Sequence, residues 1–429
     1  MRTRSSVAAT LASGLAVLLA PPAFAAGAWS FVPSANSTTN DGLGSVSVVS
    51  SSEAWAVGSA YTIINGTLNQ VPLTEHATGG SWKVVPAPAP AGFNYSHLND
   101  VAATSSSDAW AVGMYFASGQ RASHALAEHW DGAAWSIVPV PQPYLRGDLS
   151  GVAARSATDV WAVGSTATRT FSGVTTLYPL AEHYDGAAWT VQSAPALVQA
   201  SLSSVTGISP TSVWAVGSQP GADTAHPRGL VMHGDGTTWT EVAVPAPAVP
   251  AGGSWQLSHV TSTAGQVWAV GTTTSADSAS QHSFVLHFDG ATWSVATLPD
   301  LGPAYSYDTL YGIAAASPTS VWVTGSASTG NQRSVTFAEH YDGAGWTLTP
   351  TPSPAPSSGL AAVATNGATT WSVGSTTTSS GAFQTSSNAS PLPAHPSPRR
   401  CCGLGSRGGS RPLDQGITAS RPSAPLPAR

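Results

Sequence analysis

Charged side chains are scarce in this 429-residue chain. They make up 8% of the residues, against roughly 25% in an average soluble protein, and Lys83 is the single lysine. Binding to a phosphate backbone requires clustered lysine and arginine, so the composition argues against a nucleic-acid partner. The same shortage argues against a coiled coil or a charged helical bundle.

Cysteine and long apolar runs are also nearly absent. The two cysteines, Cys401 and Cys402, are neighbours near the C-terminus, so the rest of the chain has no disulfide and no cysteine-based metal site. After Ala25, no stretch of the sequence is long and apolar enough to span a bilayer. The sequence contains no nucleotide-binding loop, nucleophile elbow or HExxH zinc motif, so we expect no metal and no cofactor.

The N-terminal segment 1–25 has the pattern of a secretory signal peptide. Arg2 and Arg4 form the positive region, the segment 7–20 is apolar, and Ala23-Phe24-Ala25 is a cleavage site. The pattern predicts a mature start near Ala26 and a secreted, extracellular protein. The alternative is an ordinary N-terminal helix.

The main feature of the sequence is an internal repeat. The tetrapeptide Trp55-Ala-Val-Gly58 recurs six more times, twice in degenerate form, at a nearly constant spacing. The later copies begin at Trp110, Trp161, Trp214, Trp268, Trp322 and Trp371. Self-similarity at such a period indicates a repeat architecture.

A second motif, approximately His-x-Asp-Gly-x-x-Trp, follows each of the first six copies. The copies run from His76 to Trp82 in an eroded form, and from His129, His183, His233, His287 and His340 in fuller form. No copy follows Trp371. Instead, Ala28-Trp29-Ser-Phe-Val-Pro33 matches Ala134-Trp135-Ser-Ile-Val-Pro139, so the last strand of the last repeat is expected at the start of the mature chain.

Each repeat contains four short β-like runs, which we call a, b, c and d. An Asp-Gly pair, the strongest short hairpin signal, joins c to d, and no window has a helical period. The pattern predicts an all-β fold, a seven-bladed β-propeller of four-stranded blades with the N-terminal strand closing the last blade. The alternative, an open row of β-domains, would not need its missing strand supplied from the other terminus.

The repeats resemble the W-A-V-G and H-x-D-G-x-x-W repeats of secreted bacterial β-propellers, and are distantly similar to the kelch, galactose-oxidase and Asp-box groups. The resemblance covers about Ala26 to Gln384. It implies a propeller and leaves the activity open, because such propellers host many functions. The Asp-x-Gly spacing of an Asp-box is Asp-Gly here, so that group is only approximated.

The repeat pattern stops after Gln384. Residues 385–429 are rich in proline, serine and arginine, which predicts a disordered tail. A frameshifted terminus is the alternative, because the segment 385–390 back-translated in another frame can encode a strand-like Val-Val-Glu-Arg. The expected organisation is therefore a signal peptide at 1–25, a propeller at 26–384 and a tail at 385–429.

Three repeated polar residues favour structural roles over catalysis. The histidines, such as His129, occur once per repeat, so we expect them to hydrogen-bond between strands rather than converge on a metal. The glutamate before four of them, such as Glu128, is replaced by Met232 and Leu286 in two repeats, which predicts a half-exposed strand position. The aspartate of each Asp-Gly pair is predicted to be a turn residue. We therefore expect no catalytic residue among them.

The candidate ligand-binding residues belong to one predicted face. The a–b and c–d turns are short and share one face, whereas the longer b–c and d–a connections share the other, which we call the loop face. Aromatic and arginine side chains are the usual anchors of a binding surface. The candidates are Trp255, Tyr305, Tyr307, Tyr144, Tyr95, Phe93, Tyr115 and Arg146. In the alternative, these side chains tuck onto the edge of the propeller.

The leading hypothesis is a secreted, non-catalytic binding module that takes an extracellular glycan or protein through the loop face. The chain is expected to be monomeric, and residues 26–384 carry 20 acidic and 7 basic residues. The first alternative is a glycan-active hydrolase or lyase, using acids such as Asp100, Asp148 or Asp308 near a central channel. The second alternative is a structural cell-surface protein.

Overall fold

The computed structural model describes residues 29–38, 40–117, 119, 122–169, 175–221, 226–249, 251–302, 305–328, 334–355, 357–377 and 383–391. Within these ranges the secondary structure is entirely β, in 28 strands. None of the described segments forms a helix of the length and hydropathy that crossing a bilayer requires. The predicted signal peptide and residues 392–429 of the predicted tail lie outside the described residues.

Consecutive strands form antiparallel four-stranded units that correspond to runs a to d. The bounds are β1 Ser30–Pro33; β2 Asp41–Ser50, β3 Glu53–Ile64, β4 Thr67–Thr78 and β5 Ser81–Val85 in the first unit; β6 Tyr95–Ser105, β7 Asp108–Phe116, β8 His124–Trp130 and β9 Trp135–Val138 in the second; β10 Arg146–Ser156, β11 Asp159–Arg169, β12 Thr175–Tyr184 and β13 Trp189–Val191 in the third; β14 Ser201–Ser209, β15 Ser212–Pro220, β16 Pro227–Gly234 and β17 Trp239–Glu241 in the fourth; β18 Ser254–Thr263, β19 Gln266–Thr274, β20 Gln281–Phe288 and β21 Trp293–Ala296 in the fifth; β22 Tyr307–Ser317, β23 Ser320–Ser328, β24 Ser334–Tyr341 and β25 Trp346–Pro350 in the sixth; and β26 Ser357–Thr365, β27 Thr369–Thr377 and β28 Phe383–Pro391 in the last.

The Asp-Gly pair builds the turn between runs c and d. Asp131 Oδ1 accepts the backbone N–H groups of Ala133 and Ala134 at 2.8 and 2.9 Å, and Gly132 has a φ of 93°, which glycine adopts without steric cost. The same two bonds form at Asp185, Asp235, Asp289 and Asp342. The predicted turn role of these aspartates is confirmed.

Tryptophan pairs join each unit to the next. The strand-b tryptophan of one unit meets a strand-d tryptophan of the following unit edge to face, with ring centroids 5.2 to 6.0 Å apart. The pairs are Trp55–Trp135, Trp110–Trp189, Trp161–Trp239, Trp214–Trp293, Trp268–Trp346, Trp322–Trp29 and Trp371–Trp82. Because the last unit packs on the first through the same contact, the units close into a ring.

The repeated histidine connects strand c to strand b within a unit. His129 stacks on Trp110 at 4.5 Å, and its Nε2 lies 2.7 Å from Asp108 Oδ1. The other repeated histidines make the same inter-strand contact with Glu53, Asp159, Ser212, Gln266 and Ser320. The predicted hydrogen bonding between strands is therefore confirmed.

The N-terminal strand completes the last unit. β1 pairs antiparallel with β28, from Ser30 opposite Ala389 to Pro33 opposite Ser386. Since β28 ends at Pro391, the paired strand continues past Gln384, the expected end of the propeller. The predicted boundary, which is set where the repeat motif stops, is therefore too early. Strand pairing uses backbone groups, so this segment pairs without the Glu-His signature of the other c strands.

Four-stranded antiparallel units repeated around a closed ring define a β-propeller. Some units form separate sheets, and others are joined in pairs by a single parallel bridge, Gln70 with Tyr95 or Gln281 with Tyr307. The all-β class and the propeller architecture predicted from the repeat are thus confirmed.

The prediction that the strand-c glutamates are half-exposed is wrong. Glu75, Glu128 and Glu182 are 0% exposed and Glu339 is 2% exposed. Glu75 Oε2 accepts the Ser34 hydroxyl at 2.6 Å and the backbone N–H of residue 35 at 3.2 Å, both from the linker after β1. The equivalent Met232 and Leu286 are also 0% exposed, so this strand-c position is buried and accepts apolar side chains.

Candidate functional site

The predicted residues of the second unit stack on one another. Phe93 meets Tyr115 edge to face at 4.6 Å, and Tyr115 stacks on His124 at 5.1 Å. Tyr95 stacks on Phe116 at 4.9 Å with the rings 8° from parallel. These rings cover one another's apolar faces, as expected if they tuck onto the edge of the propeller.

Trp255 is also engaged in packing. Its indole lies so close to Gly229 of the preceding unit that a Cβ there would be 2.1 Å from the ring. The same ring contacts Phe284 edge to face at 5.9 Å. Trp255 therefore seals the junction between the fourth and fifth units.

Tyr144 and Arg146 lie apart from these groups. Tyr144 is 49% exposed, and its ring is 5.9 Å from that of Tyr178. Arg146 begins β10, and its backbone carbonyl accepts the Thr166 hydroxyl at 2.7 Å. Among the described residues, the contacts of Phe93, Tyr95 and Tyr115, those of Trp255, and those of Tyr144 and Arg146 belong to different units or junctions.

Tyr305 lines a cleft between the fifth and sixth units, and Tyr307 belongs to the strand contact that joins these units. The bridge between Gln281 and Tyr307 and a 3.1 Å hydrogen bond from the Gln281 N–H to the Ser306 carbonyl join β20 to β22. The Tyr307 hydroxyl donates to the Ser278 carbonyl at 2.9 Å. These bonds bring the first residues of β20 beside the first residues of β22. We call the space bordered by the linker residues 298–301 and Tyr305 the interunit cleft.

The polar end of the interunit cleft is a cavity of about 210 Å³ bordered by His282, Asp308 and Glu339. Asp308 Oδ2 lies 2.8 Å from His282 Nδ1, and Asp308 Oδ1 accepts the Ser283 N–H at 2.7 Å. The His282 side chain is 55% exposed and that of Asp308 is 14% exposed. A dyad of this kind orients the imidazole and leaves Nε2 for a ligand.

Glu339 supplies a neutral acid to the same cavity. Its Oε2 has no hydrogen-bond partner among the described residues. Burial, with a further contribution from the negative charge of Asp308, raises the pKa of Glu339 to about 8. The carboxyl group therefore carries its proton at neutral pH and is a hydrogen-bond donor as well as an acceptor.

The apolar end is a second cavity of about 390 Å³. Tyr305, Val335, Phe337 and Leu348 line it, and it shares Asp300 and Leu301 with the polar cavity. Volumes of this order hold small ligands, and the combination of an apolar wall with a few polar groups is typical of ligand sites. The interunit cleft is therefore the candidate functional site.

Sequence reasoning missed His282 and discounted Glu339. A signal for His282 exists in one variable column of the repeat, two residues before a buried strand-c position. That column reads Val71, His124, Tyr178, Arg228, His282 and Val335 in successive units. Histidine occupies this column in only two units, at His124 and His282, so it does not stand out among the histidines that recur in every full copy of the motif.

The acids expected near a central channel do not converge there. The channel, of about 340 Å³, is lined by the inner strands of the units and includes Asp100. Asp100 accepts the Ser45 hydroxyl at 2.5 Å and the Val152 N–H at 2.8 Å, so it bridges neighbouring units. Asp148 accepts the Ser165 hydroxyl at 2.5 Å, and Asp308 lies in the interunit cleft. Burial raises the pKa of Asp100 to about 6.

No family model and no curated protein matches the chain. Among solved structures, YCF48 bound to a D1 peptide is 15% identical, covers 87% of this chain and 99% of its own, and has a TM-score of 0.49. A Penicillium chrysogenum alpha-L-arabinanase complexed with arabinobiose is 10% identical, covers 84% of this chain and 96% of its own, and has a TM-score of 0.41. Similarity at this level indicates neither ligand nor chemistry, and the kelch-like and galactose-oxidase-like resemblance stays a prediction.

Proposed function

We propose that the chain is a secreted, non-catalytic, seven-bladed propeller that binds an extracellular glycan in the interunit cleft. The observation that carries the proposal is the pairing of an aromatic wall, Tyr305 and Phe337, with hydrogen-bonding groups at His282, Asp308 and Glu339. A sugar ring presents an apolar C–H face and a rim of hydroxyls, and this cleft offers a partner to each.

The protonation states in the cleft suit hydroxyl groups. A hydroxyl both donates and accepts, so it pairs best with a mixture of acceptors and donors. The Asp308 carboxylate accepts, whereas the protonated Glu339 donates. The acidic balance of residues 26–384, with 20 acidic and 7 basic residues, disfavours an anionic ligand such as a phosphate or a carboxylated polymer.

Seven blades and a secreted location complete the proposal. The blade count is supported by the repeat of the Trp-Ala-Val-Gly motif and by the tryptophan pair that joins the last unit to the first. The secreted location is supported by the signal-like segment at 1–25, and the absence of cysteine before residue 401 is compatible with it.

Binding to insoluble polysaccharides and cell-wall preparations tests the proposal by co-sedimentation. Tyr305→Ala and Asp308→Asn should each weaken binding by about tenfold or more, because stacking and a buried charged hydrogen bond each contribute energies of that order. Tyr144→Ala is the matched control, since Tyr144 is exposed on another unit. The glycan proposal is wrong if no preparation binds, or if Tyr144→Ala weakens binding and Tyr305→Ala does not.

A glycan-active hydrolase is the second candidate, because Glu339 borders the polar cavity together with Asp308, and burial and the charge of Asp308 raise its pKa to about 8. A carboxylic acid that stays protonated near neutral pH beside a carboxylate is what general-acid catalysis requires. Release of reducing ends from a bound polysaccharide, abolished by Glu339→Gln while binding persists, would establish the enzyme. Binding without release in the wild-type chain, or release unaffected by Glu339→Gln, would exclude catalysis by this residue.

A further inference from the structure

The hairpin formed by β3 and β4 extends beyond the rest of the first unit. The inner strand β2 pairs with β3 only as far as Ala60, and the outer strand β5 pairs with β4 only from Thr74 onward. The Tyr61 N–H still donates to the Asn40 carbonyl, and Gln70 is bridged to Tyr95 of the second unit. Beyond these two residues, from Thr62 to Asn69, the chain is a two-stranded ribbon that ends in the turn Asn65-Gly66, whose φ angles are 51° and 78°. Positive φ at both positions is the signature of a tight type I′ turn, whose twist matches that of the paired strands.

The ribbon carries its apolar side chains on the solvent side. Ile63 lies opposite Leu68, and Tyr61 shares their face because it is two residues from Ile63 on the same strand. Their exposed fractions are 73%, 53% and 39%, and Ile64 beside the turn is 48% exposed. Asn69, on the other face, is only 8% exposed. A surface hairpin normally has the opposite arrangement, so this apolar face needs a partner. Ile64, one residue from Ile63, lies on the Asn69 face but is exposed at the end of the ribbon. We call Tyr61, Ile63, Ile64 and Leu68 the apolar tip.

Charge narrows the class of partner. The segment 54–74 contains no charged residue, so nothing on the ribbon could recognise a charged surface. The body of the chain, in contrast, has 20 acidic and 7 basic residues between positions 26 and 384. A partner of the apolar tip therefore meets an uncharged apolar surface that is attached to an acidic body. The acidic body repels anionic partners, which excludes nucleic acid and disfavours a strongly anionic surface.

The size of the apolar tip disfavours a protein partner, including a second copy of this chain. A stable protein interface buries about 800 Å² on each partner. The apolar tip consists of four side chains, each already partly covered, which is well short of that area. Partition of a few side chains into a lipid phase has no such threshold, because binding strength grows with each apolar group buried.

We propose that the apolar tip of the β3–β4 hairpin inserts into the interface of a lipid bilayer and anchors the propeller there reversibly. Ile63, Ile64 and Leu68 enter the outer acyl region, and Tyr61 lies at the headgroup level, where amphipathic rings are enriched. Insertion is shallow, because the outer edges of the ribbon keep backbone groups that require water. The inference is independent of the glycan proposal.

Flotation with lipid vesicles tests the proposal. The protein is the chain from Ala26 to Arg429, because the apolar segment 7–20 would itself bind lipid. It should float with neutral phosphatidylcholine vesicles, and less with vesicles containing phosphatidylserine at low salt, because its body is acidic. The variant Ile63→Ser/Ile64→Ser/Leu68→Ser should lower the bound fraction by about tenfold or more, since it removes three aliphatic groups from the lipid phase.

A second triple variant serves as the matched control. Ile137, Val191 and Val295 are 41%, 45% and 40% exposed on strands β9, β13 and β21, and their replacement with serine should leave flotation unchanged. Equal melting temperatures for the three proteins would show that all are folded. The proposal is overturned if the wild-type chain does not float at any salt concentration, or if both variants lose flotation equally. It is also overturned if light scattering shows a dimer that only the tip variant dissolves, since the occupant is then a second copy.

Discussion

Gly164→Ala is expected to destabilise the propeller by about 3 kcal/mol or more, or to prevent folding, because it forces an atom into a neighbouring backbone. A Cβ at Gly164 would lie 2.0 Å from the Asp148 carbonyl oxygen and 2.9 Å from the Cα of Leu149. Strand β10 has a bulge between Leu149 and Gly151, which presses the inner strand against β11. Relief would require separating two paired strands, so the clash cannot be absorbed by a side-chain movement.

The same close approach of the inner-strand carbonyl oxygen explains why the fourth residue of the Trp-Ala-Val-Gly motif is glycine. A Cβ would lie within 1.9 to 2.2 Å of an inner-strand carbonyl oxygen at each equivalent glycine, namely Gly58, Gly113, Gly217, Gly271, Gly325 and Gly374. Gly42→Ala is the control, because Gly42 is also in a strand but has no atom within 4 Å of its added Cβ. We expect the control to change stability by less than about 1 kcal/mol. Urea unfolding followed by tryptophan fluorescence measures both. Equal midpoints for Gly164→Ala and wild type would contradict this account of the motif.

Glu128→Met is expected to stabilise the propeller, by about 3 kcal/mol or more at neutral pH, because it removes a buried polar group without a partner. Glu128 is 0% exposed, and neither of its carboxyl oxygens has a hydrogen-bond partner among the described residues. Met232 occupies the equivalent position of the fourth unit and packs in its core. Methionine is therefore already accommodated by this site in the same fold.

The stabilisation should depend on pH with a definite sign. Burial raises the pKa of Glu128 from 4.5 to about 8, so between these values the folded state holds a proton that the unfolded state has released. The wild-type protein thus loses stability as pH rises through this window, by up to about 1.4 kcal/mol per pH unit for this group. The advantage of Glu128→Met should be smallest below pH 4.5, grow toward pH 8 and then level off.

Unfolding midpoints of both proteins from pH 4 to 9 measure this difference, in which the titration of all other groups largely cancels. Glu75→Met is the matched control. Glu75 Oε2 accepts bonds from Ser34 and Ala35, so its replacement should destabilise the protein instead. In the second and third units prolines, Pro88 and Pro141, stand at the position of Ala35 and have no N–H to donate. An advantage of Glu128→Met that does not change with pH would show that Glu128 is ionised in the folded protein.

The grouping of residues in the interunit cleft could not be predicted from the repeat pattern. Asp308 follows an irregular linker, the column of His282 holds histidine in only two units, and the glutamate at the position of Glu339 recurs in other units. They meet because the Gln281–Tyr307 bridge brings the first residues of β20 and β22 together. The contact depends on the backbone bonds that Gln281 makes with Ser306 and Tyr307, which no periodicity encodes.

Features that depend on local or periodic chemistry could be predicted from the sequence. Asp-Gly pairs specify the c–d turns, the repeated tryptophans specify the core between units, and Trp29 marks the strand that closes the ring. These signals are independent of distant residues, or recur often enough to be recognised without them. Tertiary structure alone decided which aromatics stack on each other, how deeply the glutamates are buried and where the last strand ends. Those outcomes depend on linkers and backbone pairing between segments far apart in the chain, where no local rule specifies which atoms meet.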